Sequence, residues 1–325
     1  FEGRGDLRLV RPVMSRNRAV AGRGGGIYNL SGRVDISGSN ASGSSRLHHN
    51  RAVWGGAIAN EAGNVTVEKT EITSNRALAG GGGLYNTEGG TAVVLGSLFD
   101  RNRAIAGGGI LNEATLKFAA STLSNNHAFD GGGLLSAADA FITTSTLSEN
   151  QARNNGGGIW SSNGITIFNS TLSGNTAALW GGGLYVDVGT ATVSWTTFMG
   201  NDDGDDMFTA LEGGSVFGDA GALVNVSSSI LSASRGGNTT APTQSNCFGS
   251  IVGSDNLTDT LCGSSPIGNV DLDPDLALNG NANVPYPTLT HRLLSATPVV
   301  GTSCPMVDQR GFGRGATCDV GSFEL

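Results

Sequence analysis

Two groups of side chains in this sequence could do chemistry. The first is Asn201-Asp202-Asp203-Gly204-Asp205-Asp206, where Asp202, Asp203, Asp205 and Asp206 put four carboxylates in five residues. Such a cluster can hold a hard cation such as Ca²⁺ through oxygen ligands, although the placement of Gly204 is not that of an EF-hand. A pair of these carboxylates could instead serve sugar hydrolysis, and a solvated acidic loop is the third reading. The second group is cationic: Arg18, Arg51, Arg76 and Arg103 recur at one position of a repeat, and Arg16 and Arg101 recur two residues before that position. A row of guanidiniums is suited to an acidic polysaccharide, to the acidic half of another copy, or to nothing beyond an exposed corner. No G-x-S-x-G, H-E-x-x-H or P-loop occurs, and the four histidines are scattered. Beyond Ca²⁺ no cofactor is implied.

These residues are positioned by a repeat. Asn17, Asn50, Asn75, Asn102, Asn126, Asn150, Asn175 and Asn201 follow one another at 24 to 33 residues. Three residues before each stands a large apolar residue (Met14, Leu47, Ile72, Phe99, Leu123, Leu147, Leu172, Phe198), and two residues after seven of them stands Ala. Gly-Gly-Gly plus an aliphatic residue closes most units, as at Gly107 to Ile110 and Gly181 to Leu184. The remainder alternates apolar and polar over three short stretches, the signature of strands. A unit of about 25 residues cannot bury its apolar face alone, but units stacked in register can. The repeat therefore predicts an all-β parallel β-helix of three strands per coil. The Asn column would form an amide ladder between coils and take the left-handed conformation of a sharp corner. A second column, Asn29, Asn60, Asn86 and Asn112, follows the glycines.

Composition agrees with a solenoid. Glycine accounts for 52 of 325 residues without a collagen triplet, and only 14% of residues are charged. No apolar run approaches the roughly 18 residues of a membrane span. The net charge of −8 divides into +5 over residues 1–127 and −13 over 128–325. Such polarity suits head-to-tail association of copies, whereas the acidic half and few aromatics argue against nucleic acid. Cys247, Cys262, Cys304 and Cys318 form two local pairs without zinc spacing. Disulfides Cys247–Cys262 and Cys304–Cys318 are expected, and with them an oxidising compartment. The opening Phe1-Glu2-Gly3-Arg4 carries no apolar leader and reads as a processed or truncated form.

The Φ-x-x-N-x-A…GGGΦ unit resembles the repeats of polymorphic outer-membrane-type proteins and related bacterial surface β-helices. The C-terminal stretch, from Asp273-Pro274 through Leu289-Thr290-His291-Arg292-Leu293-Leu294 to Asp308-Gln309-Arg310-Gly311 and Cys318-Asp319-Val320-Gly321-Ser322-Phe323-Glu324, resembles the end of the choice-of-anchor Q group of secreted bacterial β-helix proteins. The resemblance implies a right-handed, pectin-lyase-like solenoid and secretion or cell-surface display. It supplies no catalytic residue. We expect a solenoid over 1–231 and a small disulfide-stapled C-terminal cap region over 232–325. The expected role is a non-enzymatic structural or adhesive surface protein that stacks head-to-tail into filaments. The alternatives are an acidic-glycan-binding module and a polysaccharide lyase or glycoside hydrolase of the same fold.

Overall fold

The computed structural model describes residues 2–3, 5–39, 45–87, 89–204, 213–232, 235–236, 246–253, 255–258, 262, 277–278, 289–290, 300–301, 308–309 and 318–319. The main body is a parallel β-helix. Three sheets of ten parallel strands each run the length of the stack. At the ~4.8 Å spacing of paired strands the rod is roughly 43 Å long. Coils carry a fourth strand as well, where three were expected. One coil runs through Ile110–Asn112, Thr115–Ala119, Thr122–Ser124 and His127–Ala128 before the next glycines. The fourth strands form a five-stranded sheet and a separate pair, Arg51–Trp54 with Arg76–Gly80. The strands of the five-stranded sheet have two residues each, short enough to read as a corner in sequence, and only pairing with the neighbouring coil reveals them.

Stacking in register turns each repeat position into a column. In the third sheet Leu47, Ile72, Phe99, Leu123, Leu147, Leu172 and Phe198 lie directly above one another and are buried. The first sheet adds Ile58, Leu84, Ile110, Leu134, Ile159 and Leu184, also buried. Full burial of one such side chain stabilises by about 1.5–3 kcal/mol, and the columns merge into one continuous core.

The corner before the fourth strand is built from two adjacent residues with separate tasks. From Asn50 to Asn175 each column Asn accepts, on its Oδ1, the backbone N–H and side-chain amide of the preceding coil's Asn. Its own Nδ2 donates to the next Oδ1 and to the carbonyl three residues before the preceding Asn. For Asn75 these bonds measure 2.8, 3.0, 3.0 and 2.8 Å. Both lone pairs and both N–H groups are used, which lets an amide sit fully buried. The left-handed backbone expected of Asn falls instead on the residue before it: Arg16, His49, Ser74, Arg101, Asn125 and Glu149 have φ between 52° and 58°, and Gly174 and Gly200 follow in the last coils. An Asn committed to four bonds needs its amide aimed along the stack, so the neighbour takes the turn.

A further buried column, Ser97, Ser121, Ser145 and Ser170, works similarly at the preceding corner. Each hydroxyl accepts the backbone N–H of the coil before, as in Ser97 N to Ser121 Oγ at 3.0 Å. Within the Gly-Gly-Gly turn the first glycine needs positive φ, as Gly81 does at 65°. The second makes room for the next coil: a Cβ on Gly82 would lie 2.2 Å from the carbonyl oxygen of Gly108.

Outside the first sheet runs an aromatic column. Trp160, Tyr185, Phe217 and Phe248 follow one another in register, and Trp180 stacks on Phe217 at 5.3 Å. Tyr28, Tyr85 and Tyr185 donate their hydroxyls to Glu61, Glu113 and Asp219 of the following coil. At the C-terminal end Cys247 and Cys262 are disulfide-bonded. The expected Cys304–Cys318 bridge lies outside the described side chains. Gln309 is not at the end of the stack. It is buried against the outer face of the third sheet, accepting from Thr171 Oγ1 at 2.7 Å and donating to Ser145 O and Thr146 Oγ1 at 3.1 Å.

Candidate functional site

The fourth strands build the site from a three-residue pattern. In Arg76-Ala77-Leu78, Arg103-Ala104-Ile105 and His127-Ala128-Phe129 the Ala is the covered residue and both its neighbours are exposed, the alternation of a strand. Ala52, Ala77, Ala128, Ala152 and Ala177 are buried. Backbone pairing places Arg18 beside Arg51, Arg51 beside Arg76, Arg76 beside Arg103 and Arg103 beside His127. The row then continues as Gln151, Thr176 and Asp202. The unbroken run of arginines thus ends at Arg103, and beyond Asp202 the row reaches Arg235.

This row lacks the carboxylates that other arginines find. Arg33 pairs with Asp35 at 2.9 Å, Arg46 with Glu71 at 3.0 Å and Arg101 with Asp100 at 3.4 Å. Arg16, Arg18, Arg51, Arg76 and Arg103 make no ion pair among the described residues. Unit charges stacked at ~4.8 Å repel by about 1 kcal/mol per pair in water. The positive field extends to the neighbouring corner, where burial, His49, Arg16 and Arg46 together hold the His48 imidazole below its usual range.

Beside the cations stands a second row that sequence reasoning passed over. Val20, Leu78, Ile105 and Phe129 occupy the outward position after each inward Ala and remain 69, 41, 61 and 51% exposed. The signal was present in the sequence, since an apolar residue follows the Ala in each of these coils, but a lone exposed apolar residue is unremarkable. Only stacking collects them. Between the two rows lies a groove of about 420 Å³, floored by Ala77, Ala104 and Ala128 and bounded at the next coil by Gln151 and Arg153. Among the described residues no carboxylate lines it. A second depression, about 360 Å³, opens on the other side of Arg103 and His127 and reaches Arg101 and Asn125.

The acidic cluster is not a convergent site where it is described. Asp202 and Asp203 are consecutive strand residues and point to opposite faces. Asp203 takes the inward position of Ala177, is 1% exposed, and accepts the Gly213 amide at 2.8 Å across the intervening insertion. Asp205 and Asp206 lie outside the described residues. Among the described residues no three His, Cys, Asp or Glu side chains gather to hold a metal ion, and no helix is long and apolar enough to cross a membrane.

Residues 169–187, from the Asn169-Ser170-Thr171-Leu172 strand through the Asn175 corner to the Gly181 turn, match the Chlamydia polymorphic membrane protein (Chlamydia_PMP) repeat. No curated protein and no solved structure matches the chain. The repeat and the stacked coils that it generates make this chain a parallel β-helix resembling those of polymorphic membrane proteins.

Proposed function

We propose that the chain is the solenoid body of a bacterial surface protein, and that it adheres to acidic polysaccharide through its arginine row. The likeness to a membrane-protein repeat supports surface display. The observation that carries the adhesive role is the set of Arg51, Arg76 and Arg103, stacked in register, of which Arg76 and Arg103 line a groove that no described carboxylate lines. Cations held at strand spacing, without acidic partners among the described residues, meet the regularly spaced charges of a linear polyanion, and the repulsion among them is relieved when it binds.

Calorimetric titration with a polyuronate and with neutral dextran tests this reading. Affinity for the polyuronate should fall as salt rises. Arg76→Ala/Arg103→Ala should weaken it by about tenfold or more, since hydrogen bonds to charged groups contribute about 1.5–3 kcal/mol each. Equal binding to dextran, or affinity indifferent to both salt and the double substitution, refutes it.

A further inference from the structure

We propose that the groove selects acidic polysaccharides whose other edge carries apolar substituents, acyl esters above all, in preference to bare polyuronates. This rests on the arginine row being the acidic-glycan site and specifies which acidic glycan fits it.

The groove has two unlike walls. One is Arg76, Arg103 and His127; the other is Leu78, Ile105 and Phe129, two residues further along the chain in each coil. The walls therefore stand on either side of the inward Ala, and both follow the direction in which the coils stack. A polymer lying along the axis presents one edge to cations and the opposite edge to apolar side chains, coil after coil. A bare polyuronate would bring hydroxyls over Ile105 and Phe129, where they lose water and gain no hydrogen-bond partner. Acyl methyls at that edge would instead cover side chains that are now 41 to 61% exposed. The next coil reverses both features: Gln151 stands in the cationic row and Arg153 in the apolar row. The amphiphilic stretch therefore has a defined end, which an unselected surface scatter of apolar residues would lack.

The test compares alginate with the same alginate chemically O-acetylated, at matched chain length, by calorimetric titration of the intact chain. A buried methyl is equivalent to about a fourfold gain, so two engaged coils should favour the acetylated polymer by about tenfold or more. The ratio should persist between about 50 mM and about 500 mM NaCl while both affinities fall, because charge contacts are screened and apolar ones are not. In Ile105→Ser/Phe129→Ser the ratio should drop to about one. Both positions are solvent-facing, and an unchanged melting temperature would show that the fold survives. Equal affinity of the native chain for both polymers, or a preference that survives the double substitution, overturns the selectivity and leaves the arginine site standing. Failure of the chain to bind either polymer overturns the arginine site and the selectivity with it.

Discussion

Replacing Asn126 by alanine removes four buried hydrogen bonds at the centre of the stack. Asn102 N and Asn102 Nδ2 donate to its Oδ1 at 2.9 and 3.1 Å, and its Nδ2 donates to Phe99 O and Asn150 Oδ1 at 3.0 and 2.9 Å. Both Asn102 donors lose this acceptor in a site closed to water. Asn150 Oδ1 keeps the Asn126 backbone N–H at 3.0 Å. Two stranded donors at about 1–3 kcal/mol each give an expected loss of about 4 kcal/mol. That is a large share of the 5–15 kcal/mol typical of a domain. Urea unfolding followed by tryptophan fluorescence measures the loss, and amide exchange should place it in the coils around Asn102 and Asn150, because a solenoid opens locally. Asn126→Asp separates the ladder from packing. At neutral pH its carboxylate keeps the acceptor but faces Phe99 O and Asn150 Oδ1 with no proton to give. It should therefore be worse than alanine at pH 7. Stability should return as pH falls and the carboxyl regains a donor. A cost below about 1 kcal/mol for Asn126→Ala, or an Asp variant as stable as the native chain at pH 7, refutes the four-bond account.

Gly82→Ala should destabilise by about 3 kcal/mol or more in thermal unfolding, since its Cβ would meet backbone atoms of Gly108 and Arg103 within 2.6 Å; Gly5→Ala, with nothing within 4 Å, is the neutral control. Gln309→Ala should cost about 1–3 kcal/mol by losing its bonds to Thr171, Thr146 and Ser145, and Thr171→Val should show the same loss non-additively in a double-mutant cycle. Burial first, and the hydrogen bond to Glu113, push the Tyr85 hydroxyl up to about 12, and burial with Asp219 pushes Tyr185 higher. These phenols stay neutral in the fold while their unfolded counterparts ionise near 10. Their contribution is complete below about pH 10 and is lost as pH rises towards 12. Ultraviolet titration should show late-ionising tyrosines that titrate normally in urea.

Much of this fold is written in the period of the sequence. In-register stacking makes each repeat position a column, so the spacing of Leu47, Ile72, Phe99 and Leu123 is enough to announce a shared inward face. The Asn, Ala and Gly-Gly-Gly positions recur for the same reason. The sequence is less informative where a residue's role depends on what lies one coil away. Ser121 looks like an ordinary strand-flanking serine until its hydroxyl is seen accepting the Ser97 amide. From His127–Ala128 onward the fourth strand, at two residues, is too short to carry its own alternation. Asp203 belongs by composition to an acidic run, yet alternation turns it inward, away from Asp202.

The candidate site divides along the same line. Its charges were legible, because arginine at one repeat position stands out among so few charged residues. Its shape was not. Leu78, Ile105 and Phe129 are separated by 24 to 27 residues and individually say nothing. Gln309 and Thr171 are 138 residues apart and share no pattern. The sequence alone determined the coil, its period and which residues repeat, because those are local choices made again in every unit. Only the tertiary structure decided which repeated residues become neighbours across coils, and so which row of cations faces which row of apolar side chains.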